Sequence, residues 1–190
     1  MELILIRHGL PERSEETSDP PLGAEGLDQA TRVAARLARE RIDTVISSTM
    51  LRAVQTAEPF AALSARPLRT DPGIVEFDRG AGSYIPMEVL KRENYEAWTR
   101  FVARGRDADI VEFQKTAVAA LEAIVGDNGG RRVAVFCHGG VINVWTAHVL
   151  GMAPRLFFEP SYASVHRYLC AGTGERNLVS LNDTSHLQDC

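Results

Sequence analysis

The chain is poor in the residues that build covalent or metal frameworks. Its 190 residues include three cysteines, Cys137, Cys170 and Cys190. These are too few and too irregular for a disulfide scaffold, and no Cys-x-x-Cys pair offers a structural zinc site. No hydrophobic run approaches the length of a membrane span, so no membrane partner is expected. The opening apolar run, Leu3-Ile4-Leu5-Ile6, is too short for the core of a secretory leader, and no small-residue cleavage site follows it. The expectation is a soluble, cytoplasmic protein. Excess basic charge is also missing: the net charge is −4 and the pI is near 5.8. A nucleic-acid binder needs a basic surface to displace counterions, so nucleic acid is not an expected partner. A local basic pocket remains compatible with this balance. No Walker A pattern is present, which excludes a P-loop nucleotide site. A Cys-x5-Arg phosphatase built on Cys137 would need arginine where Asn143 stands. Internal repeats and low-complexity segments are absent.

What is present reads as one globular domain over residues 1–190. Hydrophobic residues make up 45% and charged residues 24%, an ordinary balance for a chain long enough to bury a substantial core. Leu3 to Ile6 reads as a strand buried on both faces. Residues 26–41 place Leu27, Ala30, Val33, Ala34, Leu37 and Ala38 at helical spacing. Thr44 to Ile46 is a short strand, Arg52 to Leu63 a helix with Pro59 as a kink point, and Leu68 to Thr70 a third strand. Ile110 to Val125 is an amphipathic helix closed by the Asn128-Gly129-Gly130 turn. Arg132 to Cys137 is the clearest buried strand, with a helix after it to Leu150. Ser164 to Cys170 and Asn177 to Leu181 read as late, adjacent strands. Alternating strands and helices predict an α/β fold with a mostly parallel sheet covered by helices on both faces. Residues 77–107 differ in character and predict a small cap of loop and helix, helical from Pro86 to about Arg104. Its stripe of Met87, Leu90, Ala97, Trp98 and Phe101 is expected to pack on the body of the protein. Tyr84, Lys91, Arg92 and Tyr95 are the cap residues that could meet a substrate.

In such sheets ligands bind beyond the carboxyl ends of the strands. Three polar groups sit there: Arg7-His8-Gly9, Ser47-Ser48 with Arg52, and His138-Gly139-Gly140. Arg7 and Arg52 can present planar, permanently charged forks to a phosphate. His8 and His138 can supply two imidazoles, one as nucleophile and one as donor. The turn at Gly139 can aim the N–H groups of a helix start at an anion. Gathered in one crevice, these groups suit phosphoryl transfer.

These residues resemble the histidine phosphatase superfamily, also called the phosphoglycerate mutase-like family. Its opening motif is matched by Leu5-Ile6-Arg7-His8-Gly9. Its second motif is matched by Leu22, Gly26, Gln29 and Ala30, and its third by Ser47 through Ala57. Its last, a strand ending in His-Gly-Gly, is matched by His138, Gly139 and Gly140. The resemblance implies that His8 accepts the phosphoryl group, while Arg7, Arg52 and His138 hold it. It implies a carboxylate proton donor after the third strand, where Glu76 stands and Asp78 is the alternative. It also implies that His8 donates one ring N–H to a backbone carbonyl close to Gly9. Ser14 occupies the position of a phosphate-contacting Asn in the family, and Gly139 lies at the phosphate-binding turn.

Two guanidinium groups near His8 would keep its ring neutral near pH 7. Fixed side chains then supply the charge stabilisation, so neither a metal nor an organic cofactor is expected. The leading expectation is a phosphatase acting on a small phosphorylated metabolite or a phosphoprotein. The alternatives are a phosphoglycerate mutase and an inactive phosphate-binding protein of the same fold. The mutases of the family carry an inserted segment that this length does not accommodate, which favours hydrolysis. Oligomeric state is not legible.

Overall fold

The computed structural model describes residues 1–77, 79–103 and 108–188, with the backbone alone at 101–103 and 108. The described elements follow in the order β1 (Glu2–Arg7), α1 (Ala24–Leu37), β2 (Thr44–Ser48), α2 (Leu51–Ser64) and β3 (Leu68–Asp71). After a short 3-10 turn come α3 (Met87–Glu93), α4 (Tyr95–Ala103), α5 (Ala108–Asp127) and β4 (Arg132–Cys137). The last are α6 (Gly139–Val149), β5 (Val165–Cys170) and β6 (Arg176–Asp183). Among the described residues the strands form one sheet in the order β3-β2-β4-β1-β5-β6. β3, β2, β4 and β1 run parallel; β5 is antiparallel to β1, and β6 to β5. This is a single α/β domain with a mostly parallel sheet.

The strands form because their side chains are apolar on both faces, as a sheet covered on both sides requires. In β1, Leu3 and Leu5 join one core, with Val133 and Val135 of β4 and with Leu121, Ile142 and Trp145 of α5 and α6. Ile4 and Ile6 point the other way, into a core with Ala134 and Phe136, roofed by Val33 and Leu37 of α1 and Phe60 of α2. In α1 the buried positions Ala30, Val33, Ala34 and Leu37 keep the helical spacing. Leu27, one turn earlier on the same stripe, is 50% exposed.

The cap is not one helix. Asn94 ends α3, and its side-chain oxygen accepts the Ala97 N–H at 3.0 Å, starting α4. An Asn that caps a new helix competes with continuation of the old one. The apolar stripe also departs from expectation. Met87 and Trp98 line the crevice that holds His8, so this face of the cap covers the site. The side chain of Phe101 lies outside the described residues. Cap and body are joined by a two-way backbone pairing of Ser14 with Tyr84 (3.0 and 2.7 Å) and by the Arg13–Glu93 ion pair.

Among the described residues no helix is long and apolar enough to cross a membrane, and no group of three or more His, Cys, Asp or Glu is placed to hold a metal ion. The neighbours β2, β4 and β1 end side by side: Arg7 is in register with Cys137, and Ser47 with Phe136. The residues that follow these three strand ends therefore share one crevice.

Candidate active site

The loop after β1 is held by groups from α1 and α2. The His8 N–H continues the sheet to the Cys137 carbonyl at 3.0 Å. The Gly9 N–H donates to Thr56 Oγ1 at 3.0 Å, and the Leu10 N–H to Gln29 Oε1 at 2.9 Å. The Thr56 hydroxyl in turn donates to the Arg52 carbonyl at 2.7 Å. The loop lies so close to α1 that a Cβ on Gly26 would stand 2.1 Å from the Leu10 carbonyl oxygen. A Cβ on Gly9 would stand 2.5 Å from that of Gly26. Several residues of the second and third motifs thus act as the grip on the His8 loop.

His8 is buried, and Nδ1 lies 2.8 Å from the Gly9 carbonyl oxygen. A carbonyl can only accept, so Nδ1 carries the proton and Nε2 keeps its lone pair. The Arg52 Nε–H points at that lone pair from 3.2 Å. Burial first, then the charge of Arg52, the neighbouring His138 and the charge of Arg7 push the His8 pKa well below the usual histidine range. The ring is therefore neutral, with its Nε2 lone pair turned to the Arg52 N–H. Arg52, itself buried, is oriented by the Ser18 carbonyl at 2.8 Å and by Asp19 at 3.2 Å. Asp19 also caps α2 through the Leu51 N–H at 2.8 Å.

His138 is fully buried, with its ring centroid 5.2 Å from that of His8. Its Nε2 lies 2.8 Å from Ser48 Oγ. Ser48 Oγ also accepts the Met50 N–H at 3.2 Å. Burial, Arg52 and Arg7 hold this ring neutral too. Arg7 is fixed by a hydrogen bond to the Pro160 carbonyl, and its guanidinium carbon lies 3.8 Å from the centre of the Tyr162 ring. Two buried nitrogens, Arg7 Nε and His138 Nδ1, have no hydrogen-bond partner among the described residues. Buried polar groups are costly to leave unpaired.

Glu76 follows the 3-10 turn and reaches the start of α6. Its Oε2 accepts the Gly140 N–H at 3.0 Å, and its Oε1 accepts the Phe77 N–H at 3.1 Å. This contact explains the second glycine of the His-Gly-Gly turn. A Cβ on Gly140 would stand 2.1 Å from Glu76 Oε1, whereas one on Gly139 would meet nothing closer than 3.7 Å.

The crevice encloses about 370 Å³. Arg7, His8, Arg52, Glu76 and Gly139 all line it, with His138 packed behind His8. Its outer wall is the irregular segment 155–160, which carried no signal of function in the sequence. Asn143 fastens that wall to α6: it accepts the Phe157 and Phe158 N–H groups at 2.8 and 3.2 Å and donates to the Phe158 carbonyl at 3.0 Å. A larger hollow of about 700 Å³ lies behind Phe77, Tyr84 and Met87, but none of Arg7, His8, Arg52 and His138 lines it. Ser14 is not in the crevice wall; its hydroxyl accepts the Glu16 and Thr17 N–H groups, both at 3.2 Å. Tyr84 does line the crevice, with its ring centre 4.9 Å from the Arg52 guanidinium carbon. Tyr95 and Lys91 flank Trp98 instead of the crevice, and Arg92 pairs with Glu93. The alternative acid, Asp78, lies outside the described residues. The contact of Ser48 with His138 was not foreseen; its only sequence signal was a serine pair at a strand end beside Arg52.

A family model described as histidine phosphatase superfamily (branch 1) matches residues 3–184. A probable phosphoglycerate mutase GpmB of Proteus mirabilis is 30% identical over 175 residues, covering 86% of this chain and 78% of that protein. Among solved structures, Bacillus stearothermophilus YhfR superposes with a TM-score of 0.82 at 23% identity, over 98% of this chain and 99% of that one. A phosphoserine phosphatase from Entamoeba histolytica, solved with phosphoserine, superposes with a TM-score of 0.78 at 24% identity, again over 98% and 99%. With that match spanning every strand of the sheet and both histidine motifs, the chain belongs to the histidine phosphatase superfamily.

Proposed function

We propose that the protein is a metal-independent phosphatase that hydrolyses a small phosphate monoester through a phosphohistidine on His8. The observation that carries this reading is the His8 tautomer. With Nδ1–H committed to the Gly9 carbonyl, Nε2 is a neutral nucleophile facing the crevice, and a neutral nucleophile suits an anionic ester. In the first step Nε2 attacks phosphorus, the P–O ester bond breaks, and Glu76 delivers a proton to the departing oxygen. Arg52 turns its N–H from Nε2 to a phosphoryl oxygen, while Arg7 Nε and His138 Nδ1 donate to the others. In the second step Glu76 takes a proton from water, the water oxygen attacks phosphorus, and the N–P bond returns its electron pair to Nε2. Arg7, Arg52 and His138 form the phosphate site, Gly139 borders it, and Ser14 acts indirectly by shaping the loop over it. Two buried free thiols, Cys137 and Cys170, suit a cytoplasmic setting.

Two measurements test this. Rapid quenching with phosphorus-labelled ester should leave acid-labile, alkali-stable label on the wild type and none on His8→Ala. Equal label on both would remove His8 from the mechanism. In single turnovers Glu76→Gln should slow phosphorylation by an alkyl ester roughly 100-fold or more, and by a nitrophenyl ester far less. A stabilised phenolate departs without the proton that an alkoxide needs. Equal slowing of the two esters would strip Glu76 of the acid role. The relatives named as mutases favour a second reading, return of the phosphoryl group to another hydroxyl. Conversion of 3-phosphoglycerate to its 2-isomer with a bisphosphoglycerate primer, faster than phosphate release, would select it.

A further inference from the structure

We infer that the alcohol half of the substrate is apolar and bulky enough to carry an aromatic ring, rather than a small, multiply anionic group. This rests on the phosphatase reading above and concerns the other end of the same crevice. The charges that face a phosphate are concentrated at one end, on Arg7 and Arg52. Beyond them the crevice is walled by Phe77, Met87, Trp98, Leu156, Phe157 and Phe158. These come from three separate parts of the chain, and four of them are held by contacts of their own. Phe77 packs on Phe113 with ring centres 5.8 Å apart. Trp98 stacks on Tyr95 at 5.3 Å, with the Lys91 ammonium over it at 4.6 Å from the ring centre. Phe157 and Phe158 are pinned through their backbone by Asn143. The wall is therefore built before a ligand arrives, and an apolar group entering it loses water contact without reordering the protein.

A second anion finds a different balance. Apart from the phosphate-facing pair, the only cation among the described residues of the wall is Arg155, and Glu159 lines the same segment. A carboxylate or second phosphate on a short substrate would be stripped of water among aromatic rings, with one arginine to meet it and a carboxylate in the same wall segment. An aromatic or comparable apolar group has six side chains to meet. The volume of about 370 Å³, mostly apolar with a few convergent polar groups, is that of a pocket for one ring-sized ligand.

Ethyl phosphate and 2-phenylethyl phosphate test this cleanly, because both expel alkoxides of similar basicity and differ in the ring. Wild-type kcat/KM should favour the phenylethyl ester roughly 10- to 100-fold, the worth of burying one ring, and should also favour it over 3-phosphoglycerate. In Trp98→Ala combined with Phe157→Ala, the phenylethyl-to-ethyl ratio should drop at least about fivefold, since two of the six contacts are truncated. The ratio is internal to each variant, so partial loss of folded protein cannot imitate it. Calorimetric binding of the same three esters to His8→Ala reads the preference without turnover and should give the same order. Equal values for the two alkyl esters, a preference for 3-phosphoglycerate, or a ratio unmoved in the double variant would overturn the inference. Phosphate release without preference would defeat this inference and leave the phosphatase reading intact. Preferential binding with no release from any ester would do the reverse.

Discussion

Gly140 is where the start of α6 and the carboxylate of Glu76 approach most closely, and the two have opposite tolerances. A Cβ there would stand 2.1 Å from Glu76 Oε1 and 3.1 Å from a Phe77 ring carbon, both ends of side chains rather than backbone. Gly140→Ala should therefore fold and displace the carboxylate. The expected signature is a loss of roughly 100-fold in kcat/KM for an alkyl phosphate, with a much smaller loss for a nitrophenyl ester. A variant that slows both esters alike, or neither, would show that Glu76 is not held in place by the turn. Ser48 belongs to the same scale. Its hydroxyl lies 2.8 Å from His138 Nε2 and accepts the Met50 N–H at 3.2 Å.

At the scale of elements, the loop after β1 and the start of α1 are fitted to each other by the absence of side chains. Gly26→Ala would drive a methyl group into the Leu10 carbonyl, a backbone atom that cannot rotate away. We expect a loss of about 1–3 kcal/mol in unfolding free energy, the usual cost of overpacking. The His8 loop should shift with it, so kcat should fall even at temperatures where the variant is folded. Denaturant melts and saturation kinetics on one preparation would check both; wild-type values in either would contradict the fit. The legibility of each element follows from where its information lies. β1 and β4 were readable because a strand covered on both faces is apolar at every position. α1 was readable from its period, and the His8, Arg52 and His138 positions from short motifs at strand ends. The cap was read as one helix because the competing signal, the Asn94 side chain reaching Ala97, is a single hydrogen bond. The wall at 155–160 was invisible, since no local pattern positions it. It is held by Asn143 from α6 and by the hydrogen bond from Arg7 to Pro160. Ser14 stands where the family has an Asn, and its hydroxyl serves its own loop.

For the molecule as a whole, three buried imidazoles make stability depend on acid. His8 and His138 are held well below the usual histidine range, and burial, with the charge of Arg7, lowers His166 to about 3. In the unfolded chain each would titrate near 6.5. Below that pH the unfolded state binds protons that the native state refuses, so protons favour unfolding. The native state has its full stability above about pH 6.5 and loses up to about 1.4 kcal/mol per pH unit for each such imidazole as the pH falls. Unfolding free energies between pH 7.5 and 5 should show this slope, and His166→Asn should remove roughly a third of it, whatever that variant does to stability at pH 7.5. A flat profile would mean that these rings take up protons in place.

The central strand has a consequence for how the protein is made. Leu3 in β1 pairs with Val133 on one side and with Tyr168 on the other. A ribosome must therefore add about 130 residues after Leu3 before either partner exists. At ~5–20 residues per second that takes roughly 7–26 seconds. Throughout that interval the nascent chain carries Leu3-Ile4-Leu5-Ile6 with two greasy faces and two open edges. Such a segment is a natural client for a chaperone waiting at the tunnel exit. His8, next but one along the chain from Ile6, is translated among the first residues of the domain and takes its place in the crevice among the last.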